Sequence, residues 1–124
     1  MQPPAPDGKD GWRILVTDDN PTKLYALTQT LRDAGHCVFA AYDGESALEL
    51  VMLLPDLDLL ITNTRLGVVD GLELMRRTRQ LKPGLPILHV AHSQRQDETP
   101  KGVPTLHEPF SPQELLQAIA GLIA

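Results

Sequence analysis

An acidic pair, Asp18-Asp19, follows the apolar run Ile14-Leu15-Val16 after a single threonine. Adjacent carboxylates suit a hard divalent cation such as Mg²⁺, which takes oxygen ligands. They equally suit a plain turn, because an aspartate side chain bonds backbone N–H groups just after it. Later apolar runs end on other residues of interest. Asn63 follows the run at 57–61, Ala91 and His92 follow 86–90, and Glu108 follows 103–107. His107 and Glu108 are neighbours on one extended segment and therefore point to opposite faces, so a zinc site is not expected there. His36 and His89 read as ordinary surface or half-buried histidines. Cys37, the single cysteine, lies in the apolar run CVFAA and reads as inert core. One cysteine excludes a disulfide framework and a multi-cysteine zinc site.

These residues need elements to position them. Ile14-Leu15-Val16 reads as a first strand. Asn20 is an N-cap and Pro21 suits the first helical position. Leu24, Leu27 and Leu31 then recur at helical spacing until Gly35. Residues 37–41 form a second strand, and Asp43 caps a helix with Ala47, Leu48 and Val51 inward. Residues 57–61 form a third strand and 63–70 a loop. A helix from Gly71 turns Leu74, Met75 and Thr78 inward. Residues 86–90 and 103–107 form strands four and five. The polar stretch 93–102 between them holds at most a short helical turn. Ser111-Pro112-Gln113-Glu114 is a capping box that opens a last helix, with Leu115, Ile119 and Leu122 on one stripe.

Strands alternating with helices imply a parallel sheet covered on both faces. Near-continuous apolar strands agree with that burial. In such sheets, sites form beyond the carboxyl ends of the strands, where Asp18, Asp19, Asn63, Ala91 and Glu108 all fall.

The chain has 124 residues and a net charge of −5 from 11 Lys+Arg and 16 Asp+Glu. That is the size of one domain, and folding buries about two-thirds of the unfolded surface. The acidic balance argues against broad attraction to nucleic acid or anionic membrane. No apolar run approaches the roughly 20 residues that span a bilayer. The first residues lack a signal peptide's apolar region. Residues 1–11, MQPPAPDGKDG, read as a disordered leader and 12–124 as the folded domain.

Taken together, ILVTDDNP (14–21), DLLITNTRLGVVDGLEL (58–74), PILHVAHS (86–93) and HEPFSPQEL (107–115) resemble the receiver domain of two-component response regulators. The match covers about residues 13–123. It implies a doubly wound, five-stranded parallel sheet in order 2-1-3-4-5, the flavodoxin-like receiver fold, here with a reduced fourth helix. In that family an aspartate ending strand 3 accepts a phosphoryl group. It and the acidic pair hold Mg²⁺, while a Thr or Ser after strand 4 and a Lys after strand 5 bind the phosphoryl oxygens. Here the acidic pair is Asp18 and Asp19. The acceptor position holds Asn63, the hydroxyl position Ala91, the lysine position Glu108 and the aromatic switch position Thr105.

The resemblance therefore implies a degenerate site. A neutral amide is a poor nucleophile where a carboxylate attacks phosphorus. Glu108 repels what lysine attracts, by about 4 kcal/mol for unit charges about 4 Å apart at an effective dielectric of about 20. No cofactor is required, and at most weak Mg²⁺ binding is expected, through Asp18, Asp19 and the carbonyl of Arg65. The family's habit also implies a cis bond before Pro109.

The expected function is a signalling interaction module rather than an enzyme. Its partner would be a histidine kinase, an output domain or another regulator, in the cytoplasm, with no nucleic acid or membrane bound by this domain. Two alternatives stand beside it. One is a receiver still competent in phosphotransfer through an unconventional acceptor such as Asp58 or Asp70. The other is a small flavin- or nucleotide-binding protein on the same fold. Asp18-Asp19-Asn20-Pro21 opposes the latter, since it repels phosphate and removes one N–H.

Overall fold

The computed structural model describes residues 11–64, 66, 68–91 and 99–123. The leader expected over 1–11 falls outside these residues apart from Gly11, as do Arg65 and His92. The element order is β1 (Arg13–Thr17), α1 (Pro21–Asp33), β2 (Cys37–Ala41), α2 (Gly44–Leu53), β3 (Leu59–Asn63), α3 (Gly71–Leu81), β4 (Ile87–Ala91), β5 (Thr105–His107) and α4 (Pro112–Ile123). The strands form one parallel sheet in the order β2-β1-β3-β4-β5. Between β4 and β5 the described residues hold no helix.

Alternate strand residues build two cores, as the two-residue period of a strand requires. Ile14, Val16, Leu59, Ile61, Leu88 and Val90 pack with Leu24, Leu27 and Leu31 of α1 and Leu115 and Ile119 of α4. Leu15, Leu60 and Ile87 pack with Ala47 and Val51 of α2 and Leu74 and Met75 of α3. The caps are local and match their motifs. Asn20 Oδ1 accepts from Thr22 N at 2.9 Å, and Asp43 Oδ1 from Ser46 N at 2.7 Å. Asp70 Oδ1 accepts from Glu73 N at 2.9 Å. Ser111 and Glu114 bond reciprocally at 2.9 and 3.0 Å. The Glu108–Pro109 bond is cis.

Several boundaries differ from the sequence reading. β3 starts at Leu59, not at 57, because Asp58 is spent at the entry: its N–H donates to Arg13 O and its carboxylate accepts from Arg13 N, both at 2.8 Å. The strand runs on through Asn63, which pairs with Val90. Ala91 likewise belongs to β4. Both residues are thus buried strand ends rather than loop residues.

Cys37 is exposed, not core. It opens β2, an edge strand with a neighbour on one side only. His36 and His89 are buried, not surface or half-buried. The His36 ring stacks on Trp12 with centroids 5.1 Å apart, and its Nδ1 accepts from Trp12 N at 3.1 Å. Burial lowers the pKa of His36 from the usual 6.5. The native state therefore resists a proton that the unfolded chain accepts. The stability this confers is present above pH 6.5 and is lost as pH falls through the folded value. A His36→Gln variant is expected to lose less thermal stability than the parent between about pH 7 and pH 5. Parallel slopes in melts followed by Trp12 fluorescence would refute that role.

Candidate functional site

The carboxyl ends of β1, β3, β4 and β5 converge on one edge of the sheet. Asp18 lies just past β1 and is 1% exposed. Its Oδ1 accepts from Asn20 N at 2.9 Å, and its Oδ2 accepts from Asn63 Nδ2 at 3.2 Å. Burial raises the pKa of Asp18, and the Asn20 N–H, the Asn63 amide and the Lys23 charge partly offset that rise. Asp19 is exposed. Asn63 spends its other amide atom locally, as Oδ1 accepts from Thr64 N at 2.5 Å.

Glu108 turns to α1, where Lys23 Nζ donates to its Oε1 at 3.0 Å. That ion pair stands at the rim of a cavity of about 280 Å³ lined also by Leu27, Phe110 and Leu115. Ala91 is buried, and its carbonyl accepts from Glu108 N at 2.9 Å. Thr105 is half-buried on β5, with Oγ1 3.3 Å from His89 Nδ1. The structure thus brings Asp18 and Asn63 into contact. It sends Glu108 to Lys23 and Thr105 to His89.

Do these residues suit Mg²⁺? Both Asp18 oxygens accept N–H groups, and Asn63 turns its NH₂ toward the carboxylate. A cation there needs oxygen atoms, not donors. Among the described residues no three His, Cys, Asp or Glu side chains gather as a metal site. The two N–H groups compete with a cation for the Asp18 oxygens. The Arg65 carbonyl lies outside the described residues.

Asp58 and Asp70, the two alternative acceptors, have structural partners of their own. Asp58 precedes β3, a strand length of roughly 16 Å from its carboxyl end. Asp70 caps α3. Sequence reasoning gave Thr64 no role and read His89 as an ordinary histidine, yet their Oγ1 and Nε2 lie 2.5 Å apart. The available signal was the two-residue spacing of His89 from Ala91, but nothing in the sequence pairs it with Thr64.

The family model described as the response regulator receiver domain matches residues 14–120. The chain is 38% identical over 90 residues to sensor protein EvgS of Escherichia coli O157:H7, a match covering 73% of this chain and 7% of that protein. It is 33% identical over 116 residues to response regulator MprA of Mycobacterium ulcerans, covering 90% of this chain and 50% of that one. The chain therefore spans half or less of these curated relatives. Among solved structures, a response regulator receiver domain protein from Clostridium thermocellum superposes with a TM-score of 0.85 at 23% identity, covering 90% of this chain and 94% of that one. A response regulator receiver protein from Sinorhizobium medicae WSM419 gives 0.84 at 26% identity, covering 92% and 95%.

Proposed function

This chain belongs to the response regulator receiver family, and we propose that it works there as a degenerate receiver: a signalling interaction module that takes no phosphoryl group at the usual position. One observation carries the reading. Asn63 ends β3 and donates its amide N–H to the buried Asp18 carboxylate. In the family's arrangement an acceptor carboxylate stands there and shares a cation with the acidic pair. Here a neutral amide satisfies Asp18 without any cation. The amide nitrogen lone pair is delocalised, and Asn63 Oδ1 is already bonded to Thr64 N.

The neighbouring replacements support it. Ala91 has no hydroxyl to meet a phosphoryl oxygen. Glu108 neutralises Lys23 instead of supplying a cation of its own. Thr105 stands where the family's aromatic switch would be and bonds His89 instead. No cofactor is needed for this function, and Mg²⁺ binds weakly at best. The partner is another signalling protein, namely a histidine kinase, an output domain or a further regulator, met in the cytoplasm.

The test is the intact mass of the chain after incubation with acetyl phosphate and Mg²⁺. The expected result is no phosphoryl adduct. A phosphoryl adduct on an aspartate would overturn the reading in favour of a receiver with an unconventional acceptor.

A further inference from the structure

Beside the acidic edge lies a second group of side chains, in which the receiver reading gives Thr64 and Thr99 no role. His89 of β4 is 1% exposed. Its Nε2 is 2.5 Å from Thr64 Oγ1. Its Nδ1 is 3.1 Å from Thr99 Oγ1 and 3.3 Å from Thr105 Oγ1, and those two hydroxyls are 3.3 Å apart. Thr64 itself is half-buried, just past β3, and its carbonyl accepts from Gly71 N at 2.8 Å.

A hydroxyl within hydrogen-bond reach of an imidazole, with the far ring nitrogen held by a third group, is the arrangement of a base-activated nucleophile. In the tautomer with the proton on Nδ1, that N–H donates to the Thr99 and Thr105 hydroxyls. Nε2 is then free of a proton and accepts from the Thr64 hydroxyl.

We propose that Thr64 is an acyl-acceptor nucleophile, with His89 as its general base and Thr99 and Thr105 as positioning residues. The Thr64 oxygen attacks the carbonyl carbon of an activated ester, and an O–C bond forms. The hydroxyl proton passes to His89 Nε2. The bond from the acyl carbon to the leaving group breaks, and the leaving group departs with that electron pair as an anion. An ester on Thr64 remains, one per chain.

The choice of an acyl over a phosphoryl group rests on the reading of the acidic edge. Asn63, the residue before Thr64, touches the Asp18 carboxylate, and Glu108 occupies Lys23. A phosphoryl group carries negative charge before and after transfer, beside the Asp18 carboxylate. An acyl ester is neutral before and after transfer, and charge appears only on the transient oxyanion and the departing group.

The probe is p-nitrophenyl acetate, added to the whole chain carrying Cys37→Ser, because the exposed thiol also takes acetyl. The expected result is a burst of one p-nitrophenolate per chain and a single acetyl group mapped to Thr64. Thr64→Val abolishes it and Thr64→Ser keeps it. His89→Gln slows it by about 100-fold. Thr105→Val slows it and Thr105→Ser restores it, a rescue that a merely structural threonine would not show. Circular dichroism checks that each variant folds. If Thr64→Val or His89→Gln does not fold, mapping of the parent and of Thr64→Ser decides.

Acetyl groups found only on amines, or a burst that survives in folded Thr64→Val, would overturn the proposal. The two failures are separable. An unlabelled Thr64 sinks this inference and leaves the Asn63 reading standing, whereas a phosphoryl adduct from acetyl phosphate on an aspartate sinks the Asn63 reading.

Discussion

Replacing Asn63 by aspartate is expected to destabilise the protein by about 2–4 kcal/mol near pH 7 without added metal, lowering Tm by roughly 10 °C. The Asn63 amide now donates to the carboxylate of Asp18, which is 1% exposed. A hydrogen bond to a charged group is worth about 1.5–3 kcal/mol, and the variant loses it. It also sets a second carboxylate against the first, and two carboxylates that close do not both ionise freely. Asp18 already has a raised pKa, from burial first. The added repulsion raises the folded pKa of the pair above its unfolded value.

The sign follows from that shift. The penalty is fully present above the folded pKa and disappears as pH falls to the unfolded carboxylate range near 4. Melts of parent and variant should therefore converge in acid. Mg²⁺ should recover part of the loss in the variant, which gains an oxygen ligand where the parent has an N–H donor. The parent should shift by less than about 1 °C in the same titration. Equal stability of parent and variant at pH 7 in a chelator would show that the Asn63–Asp18 contact contributes little.

Gly71→Ala should also cost about 3 kcal/mol, for a reason of space rather than charge. A Cβ at Gly71 would lie 1.8 Å from the carbonyl oxygen of Asn63 and 3.0 Å from Thr64 Cα. Its opposing atoms are backbone, so no flexible side chain can move aside. The Gly71 N–H also donates to Thr64 O at 2.8 Å, which draws the start of α3 onto the end of β3. An alanine must push these segments apart and displace both Asn63 and Thr64. Chemical denaturation measures the loss, and acetyl labelling of Thr64 should fall with it. Gly84→Ala is the control. Nothing lies within 4 Å of its added Cβ, so a change within about 0.5 kcal/mol is expected. Similar effects at the two glycines would refute the close approach.

Much of this architecture is local and so was legible in the residues. The caps at Asn20, Asp43 and Ser111–Glu114 act over two or three positions, and each falls where the motif predicts. The apolar stripes of α1, α3 and α4 follow the helical period. Alternation of strands and helices implies the parallel sheet, while the strand order came from the family resemblance. Local patterns also place Asp18 and Glu108 at the edge of that sheet.

What pairs across the edge is a different matter. Asn63 meets Asp18 across 45 positions, and Lys23 meets Glu108 across 85. Thr64 meets His89 across 25. Cys37 and His36 are adjacent, yet one is exposed and the other buried against Trp12. Such outcomes depend on which strands are outermost and which strand ends lie side by side. Periodicity and capping carry no information about partners that far apart. Local residue patterns set the type and order of the elements and the residue types brought to the edge. The tertiary structure alone decided that Asn63 satisfies Asp18, that Glu108 takes Lys23, and that a buried imidazole stands behind Thr64, because each depends on the distance between side chains far apart in the chain.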